Sequence, residues 1–353
     1  MCKRVLVLIA ACFYYSGLVA LARRLTRCSG PHLIILNYHR ATGGDLRRHL
    51  FYLRRHYRIL HVEAALEELY ASRKGKVQRS DRCSPLVLTF DDGYQDNYSH
   101  AFALARELEV PITIYLIPGY MEGGNQHFWW LDGKRLIDRA QVSEATIEGR
   151  VYQLDDPNEQ IVLSRLIDTR ARYAQSVAER ETFLMLVSNA LEVDRSSAQE
   201  DILSLPLTWE QVQEMEASGW VSFGAHTMHH PILAYLTDPV EVRYEIETCR
   251  TIIEQHVGHP IRSFAYPVGQ NQHISQAVLE VVHQTGYDWA VTTNYGINRP
   301  HSDPFLLRRV EVDVDQHWLV VAAETAGLWG FFSRLRWLPL VRKYLTESRE
   351  KQR

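Results

Sequence analysis

The chain has 353 residues, 46% hydrophobic and 23% charged, with a formal net charge of -3. Such a composition is globular and long enough for one large core with additions, and the charge excludes the strongly basic face that a nucleic-acid partner requires. The cysteines, Cys2, Cys12, Cys28, Cys83 and Cys249, are odd in number and scattered, which excludes a paired-spacing zinc pattern and an evident disulfide framework.

Residues 1–27 form an N-terminal hydrophobic segment. From 5 to 22 it is apolar apart from Tyr14, Tyr15, Ser16 and Gly17, with Lys3 and Arg4 before it and Arg23, Arg24 and Arg27 after it. A helix of about 18 residues spans about 27 Å, just short of a hydrocarbon layer of about 30 Å. Ala20-Leu21-Ala22 has the pattern of a signal-peptidase site, but arginines directly after it oppose cleavage. Ile9-Ala10-Ala11-Cys12 has a lipoprotein-like pattern, with too short an apolar run before the cysteine. An uncleaved anchor, or a helix lying in the interface with tyrosines and arginines at headgroup level, completes the set. The expectation is association with a membrane surface, with export as the alternative. Basic flanks on both sides leave the orientation open.

Residues 33–38 read as a buried strand running into His39 and Arg40, because buried parallel strands are continuous apolar runs. Residues 46–60 have helical spacing, with Leu46, Leu50 and Leu53 on one face, and 61–69 form a second helical piece. The charged stretch 73–82 reads as a loop. A strand over 86–90 ends in Asp91, Asp92 and Gly93. A helix follows over 96–109, stopped by Val110 and Pro111, and 112–117 is the next strand. Strand, helix, strand in this rhythm argues for parallel βα units.

Residues 125–205 interrupt that rhythm with a mainly helical, polar insertion. It opens on Phe128, Trp129 and Trp130, rings that either line a sugar-stacking groove or plug the insertion's own core. Regular units then resume. Thr208 and Gln211 make a capping box for a helix ending at Gly219, and a strand over 221–225 ends at His226. Asp238 and Pro239 start a helix with Val242, Ile246, Cys249 and Ile253 on one face. A strand over 263–266 meets Pro267, Val268 and Gly269. A helix over 274–285 and strands over 289–292 and 305–310 follow. The fold class is α/β: a distorted (β/α) barrel of about seven parallel strands over 31–325, with a helical insertion and membrane-associating ends. The tail 326–353 interleaves Trp329 and Trp337 with Arg334, Arg336, Arg342 and Lys343. It reads either as a membrane-surface segment or as a terminal helix docked on the domain.

In such barrels the chemistry sits at the C-terminal ends of the strands, a rule that puts His39, Asp91, Asp92, His226 and Val268 on one rim. Asp91-Asp92-Gly93 in isolation is a turn former. The second cluster changes that reading: His226 and His230, four residues apart, reach a common ion if one helical turn carries them, and Pro231 keeps the turn short. A carboxylate with two imidazoles is a ligand set for zinc or a similar divalent metal.

Thr89-Phe90-Asp91-Asp92-Gly93, the turn from His226 to His230, and Ser263-Phe264-Ala265-Tyr266-Pro267-Val268-Gly269 resemble the first three motifs of the polysaccharide deacetylases, the NodB-homology family. The resemblance covers roughly 31–312, with the insertion as its least family-like part. It implies a metal-dependent N-deacetylase of acetylated amino sugars in a polysaccharide, oligosaccharide or lipid-linked glycan, with Zn2+ the foremost metal. Asp92, His226 and His230 would be the metal ligands, Asp91 the base, and Tyr266, Pro267 and Val268 the substrate and oxyanion segment. Backbone N–H groups near Val268 and Gly269 would serve the oxyanion, and His229 would be an exposed non-ligand. The chain departs from the family pattern in three places, the first being that the family tyrosine of the third motif, which acts through its backbone, is Val268 here. The family arginine of the third motif is Ala265 here, and the late histidine that acts as acid is missing from 305–310. His39, at the end of the first strand, is the candidate replacement, the alternative being a histidine that only bonds the barrel rim. The missing acid leaves a non-catalytic, membrane-associated carbohydrate-binding protein as the alternative, and an enzyme for a small non-sugar amide as a third reading.

Overall fold

A computed structural model describes residues 3–73, 83–122, 127–195 and 202–328. The tail beyond 328, most of the charged loop at 74–82 and the first residues of the insertion lie outside the described residues. The elements that place the site are α1 (Lys3–Tyr15), α2 (Leu18–Cys28), β1 (Ile34–Tyr38), α3 (Leu46–His56), β2 (Tyr57–Ile59), β3 (Ser84–Phe90), β4 (Ile112–Leu116), β5 (Glu144–Ile147), β6 (Arg150–Gln153), β7 (Val221–Ala225), β8 (Ser263–Ala265), β9 (Trp289–Tyr295) and β10 (Leu307–Glu311).

The main sheet is parallel throughout and runs β1-β10-β9-β8-β7-β4-β3-β2, and β1 also pairs with β3. That extra pairing closes a seven-stranded barrel and leaves β2 outside the ring, against the start of β3. Both faces of the strands are covered, which is why β1 and β4 are buried at every position. Alternation sorts their side chains. Ile34, Leu36, Leu86, Leu88 and Phe90 face the outer helices, while Leu33, Ile35, Val87, Tyr115, Val291 and Leu307 fill the interior. Helix Val62–Arg73 adds Val62, Ala65, Leu66 and Leu69 to the interior cluster and closes the barrel floor.

Two expectations change and a third gains detail. Helix 46–60 ends at His56, because Tyr57, Arg58 and Ile59 find backbone partners in Ser84, Pro85 and Leu86 and become β2. The insertion is mainly helical, as expected, with a short hairpin added. Its helices Pro157–Arg172 and Val177–Ala190 pack with an antiparallel β5–β6 hairpin around their own core of Phe128, Trp129, Leu163, Ile167 and Leu184. The hairpin turns on Glu148 (φ 49°) and Gly149 (φ 78°), both left-handed as a two-residue type I′ turn requires. The N-terminal run is also broken. Gly17 at φ 82° bends α1 from α2 by 70°. No single helix among the described residues is long and apolar enough to cross a membrane, although the bent pair has the length and composition. Ala10 of α1 packs on Leu319 and Val320 of helix Trp318–Thr325, with Tyr14 edge-on to Trp318 at 5.0 Å.

Gly224 of β7 marks where the interior is tightest: a Cβ there would lie 2.4 Å from the buried Tyr115 ring. Gly224→Ala is expected to destabilise the fold by about 1–3 kcal/mol through overpacking, read as a lower urea midpoint with an unchanged slope.

Candidate metal and catalytic centre

The strand ends build the site from two directions. β3 delivers Asp91 and Asp92, and the chain then leaves through Asp92 (φ 73°) and Gly93 (φ 69°). β7 delivers His226, followed by a loop in which Thr227 (φ 66°) and His230 (φ 55°) are left-handed. The helical turn expected between the histidines is absent. They converge instead because the Thr227 hydroxyl accepts the His230 N–H at 2.9 Å and folds the loop back. A left-handed non-glycine residue costs about 1–2 kcal/mol, so this loop is held, not relaxed.

Asp92 Oδ1 then lies 3.6 Å from His226 Nε2 and 3.7 Å from His230 Nε2, and the three ligand atoms fall within 4.8 Å of one another. These separations are too long for hydrogen bonds, and the buried Asp92 Oδ1 has no hydrogen-bond partner among the described residues. Ligand bonds of about 2.0–2.2 Å in a tetrahedron put neighbouring donors about 3.3–3.6 Å apart, so a zinc-sized ion fits. The donor chemistry fits as well. Nδ1–H of His226 donates to the Ala265 carbonyl at 2.7 Å, fixing the tautomer that frees Nε2. Burial, then His226 and Arg180, hold the His230 pKa well below its usual value, so its ring is neutral. Burial also pushes the Asp92 carboxyl up, against the opposing charges of His39 and His226, as expected of a buried acid that lacks a cation.

Asp91 has a counter-ion of its own. Arg309 of β10, itself buried, donates Nη1–H to Asp91 Oδ1 at 2.7 Å and Nη2–H to Oδ2 at 2.8 Å. The guanidinium also reaches the Thr292 carbonyl at 2.9 Å, Asn37 Oδ1 at 3.0 Å and the Thr89 hydroxyl at 3.2 Å. Burial alone would raise the Asp91 pKa. Arg309, with help from His226 and His39, reverses that and holds it far below the carboxylate range. Sequence reading missed Arg309. The arginine that the family motif carries at Ala265 arrives here from β10, two strands along the barrel. A signal for it existed: alternation from Leu307 makes Arg309 the next inward position, and Arg308 is exposed.

The segment after β8 is only partly available. Tyr266 is buried with its hydroxyl on the Phe305 carbonyl and its N–H on the Val291 carbonyl, and Pro267 has no N–H. The Gly269 N–H turns back to the Pro267 carbonyl. That leaves Val268, left-handed at φ 58° with its carbonyl held by the Thr293 hydroxyl at 2.6 Å. No hydrogen bond among the described residues uses its N–H. His39, half-buried at the end of β1, lies close enough for its charge to act on both carboxylates. His229 is half-buried, not exposed as expected, with its Nδ1 meeting buried Glu245 at 2.7 Å.

The insertion reaches this centre. Phe128 and Trp129 are core, whereas Trp130 is half-buried with its ring 4.5 Å from that of His230, so the aromatic opening is both plug and site wall. The Trp129 indole N–H donates to the His230 carbonyl at 3.3 Å, and buried Arg180 donates to the His229 carbonyl at 3.1 Å. The insertion therefore clamps the histidine loop by its backbone, which no spacing in the sequence announced.

The sequence matches the polysaccharide deacetylase family over residues 78–158 and 170–290. The fold is similar to the Streptococcus pyogenes deacetylase PplD in complex with acetate, at 17% identity and a TM-score of 0.53, covering 83% of this chain and 97% of that one. It is similar also to IcaB from Ammonifex degensii (21% identity, TM-score 0.53, 83% and 97%) and to the deacetylase domain of BpsB from Bordetella bronchiseptica (16%, 0.50, 80% and 97%). No curated protein matches the sequence. This chain belongs to the polysaccharide deacetylase family, hydrolases of carbon–nitrogen bonds other than peptide bonds that act on glycans.

Arg309→Met is expected to cost about 3–5 kcal/mol in denaturant unfolding, because it strands a buried carboxylate, and Asp91→Asn in the same chain should recover part of that loss. Arg180→Ala is expected to weaken metal binding by about 10–100-fold in chelator competition while far-UV circular dichroism stays unchanged.

Proposed function

We propose that this protein is a metal-dependent N-deacetylase that removes acetyl groups from N-acetylated amino sugars of a polysaccharide, oligosaccharide or lipid-linked glycan. One observation carries the reading: an ion-sized gap between Asp92, His226 and His230 adjoins a carboxylate that Arg309 keeps ionised. Asp92, His226 and His230 would hold the cation, Zn2+ foremost, which when bound supplies Lewis acidity toward an acetamide carbonyl and a water. Asp91 takes the proton of the attacking water, and Arg309 fixes where its oxygens point. The spare N–H of Val268 donates to the carbonyl oxygen as charge collects there. His39 returns a proton to the nitrogen as the carbon–nitrogen bond breaks, so that an amine leaves and acetate remains. The face of Trp130 supports a sugar ring beside His230.

Purified protein is expected to release acetate from N-acetylhexosamine oligomers, and chelation should stop it. Asp91→Asn should lower kcat by about 10²–10⁴ with metal content retained, whereas His226→Ala and Asp92→Asn should lose the metal. His39→Gln should slow ordinary acetamides more than anilides, whose amine leaves without help. Full activity of Asp92→Asn or His226→Ala contradicts the assignment. The absence of a histidine from 305–310 favours one competing reading, a non-catalytic carbohydrate-binding protein. Glycan binding without acetate release by metal-loaded protein would establish it.

A further inference from the structure

A second aromatic surface lies beside the catalytic loops. Tyr235 stands on a short helical turn, Leu233–Tyr235, that follows the candidate ligand His230. His273 stands on another, Asn271–His273, that follows Val268. In each case the separation is five residues, a length of chain that reaches at most about 18 Å, so both turns stay near the metal and oxyanion positions. Tyr173 closes the insertion helix Pro157–Arg172 and meets Tyr235 edge-on, with ring centroids 5.2 Å apart and planes at 71°. The His273 ring lies 6.4 Å from that of Tyr235. Two hydrogen bonds fix this corner: the Thr237 N–H donates to the Gln175 carbonyl at 3.1 Å, and the Val177 N–H donates to the Glu241 carboxylate at 2.7 Å.

Tyr173 and Tyr235 are 45% and 39% exposed, and no hydrogen bond among the described residues uses either hydroxyl. His273 is 6% exposed, and its buried Nδ1 also has no partner among the described residues. A tyrosine that serves only to join two segments gains by burying its ring. These two leave both ring and hydroxyl within reach of a ligand. Tyrosine offers an apolar face and a polar tip with few rotors to freeze, which suits a pyranose, whose patches of C–H bonds are rimmed by hydroxyls. Exposed amides stand alongside, on Gln175, Asn271 and Gln272, next to the exposed Arg172. We propose that Tyr173, Tyr235 and His273 form a subsite for a sugar unit other than the one being deacetylated, so that the chain prefers an oligosaccharide or polysaccharide to a single sugar. The proposal rests on the glycan reading of the catalytic centre and specifies its substrate: several linked sugars that run from the metal gap across the two turns.

The test titrates the zinc-loaded full chain by calorimetry with disaccharides and pentamers of N-acetylglucosamine, in β-1,4 and β-1,6 linkage, and measures acetate released in the same samples. In at least one linkage the pentamer should bind at least about tenfold more tightly than the disaccharide. Tyr173→Ala with Tyr235→Ala should bring that ratio close to parity, with circular dichroism and zinc content unchanged. Tyr173→Ala alone, at the more exposed ring, should lower it too. Tyr173→Phe with Tyr235→Phe, which keeps both ring faces, should retain most of it. Three results overturn the proposal: no length preference in either linkage, alanine variants that keep the parent's ratio, or alanine variants that lose disaccharide and pentamer affinity equally. Acetate release without a length preference strikes the subsite and leaves the catalytic reading standing. A length preference without acetate release does the reverse.

Discussion

The bidentate contact between Arg309 and Asp91 is the constraint on which the centre rests. A carboxylate this deeply buried would otherwise take up a proton and lose its ability to accept one. A guanidinium in the barrel interior would be costlier still without an acid to meet it. Each ion makes the other tolerable, and the surrounding acceptors on Asn37, Thr89 and Thr292 use the remaining donors. The two adjacent aspartates therefore carry different jobs for an environmental reason. Asp91 has a protein cation, and Asp92 has only a gap bounded by two imidazoles.

Around that pair the backbone is deliberately uncomfortable. Asp92, Thr227, His230 and Val268 all adopt left-handed geometry without being glycine, and all four follow the C-terminal end of a barrel strand. Their strain is sustained by neighbours: the Thr227 hydroxyl for the histidine loop, Thr293 for Val268, and Trp129 and Arg180 from the insertion. Packing in the barrel and the insertion thus stores the alignment that ligands and a backbone donor need.

Much of this was legible from residues. Fully covered parallel strands appear as uninterrupted apolar runs, so the barrel strands stand out. Two carboxylates and a histidine pair at strand ends mark the rim. What escaped reading has physical causes. β2 is a short edge piece whose hydrogen bonds go to a strand lying well beyond it in sequence, so helical spacing in 46–60 won locally. The two histidines do come together, but through a loop, not the helical turn that their spacing suggested. Arg309 was hidden because a charge on an inward position contradicts the apolar rule for interiors, and its partner is 218 residues away. The insertion's clamp acts through backbone carbonyls, which carry no side-chain signature.

The order of the strands has a consequence for synthesis. All three candidate ligands leave the ribosome well before β10, the last strand of the barrel. A nascent chain that stops short of Arg309 can gather its histidines, but Asp91 then has no guanidinium to keep it charged. The Asp91–Arg309 pair therefore forms only when β10 seals the ring, and a chain that stops before it leaves the first aspartate of the rim without its counter-ion.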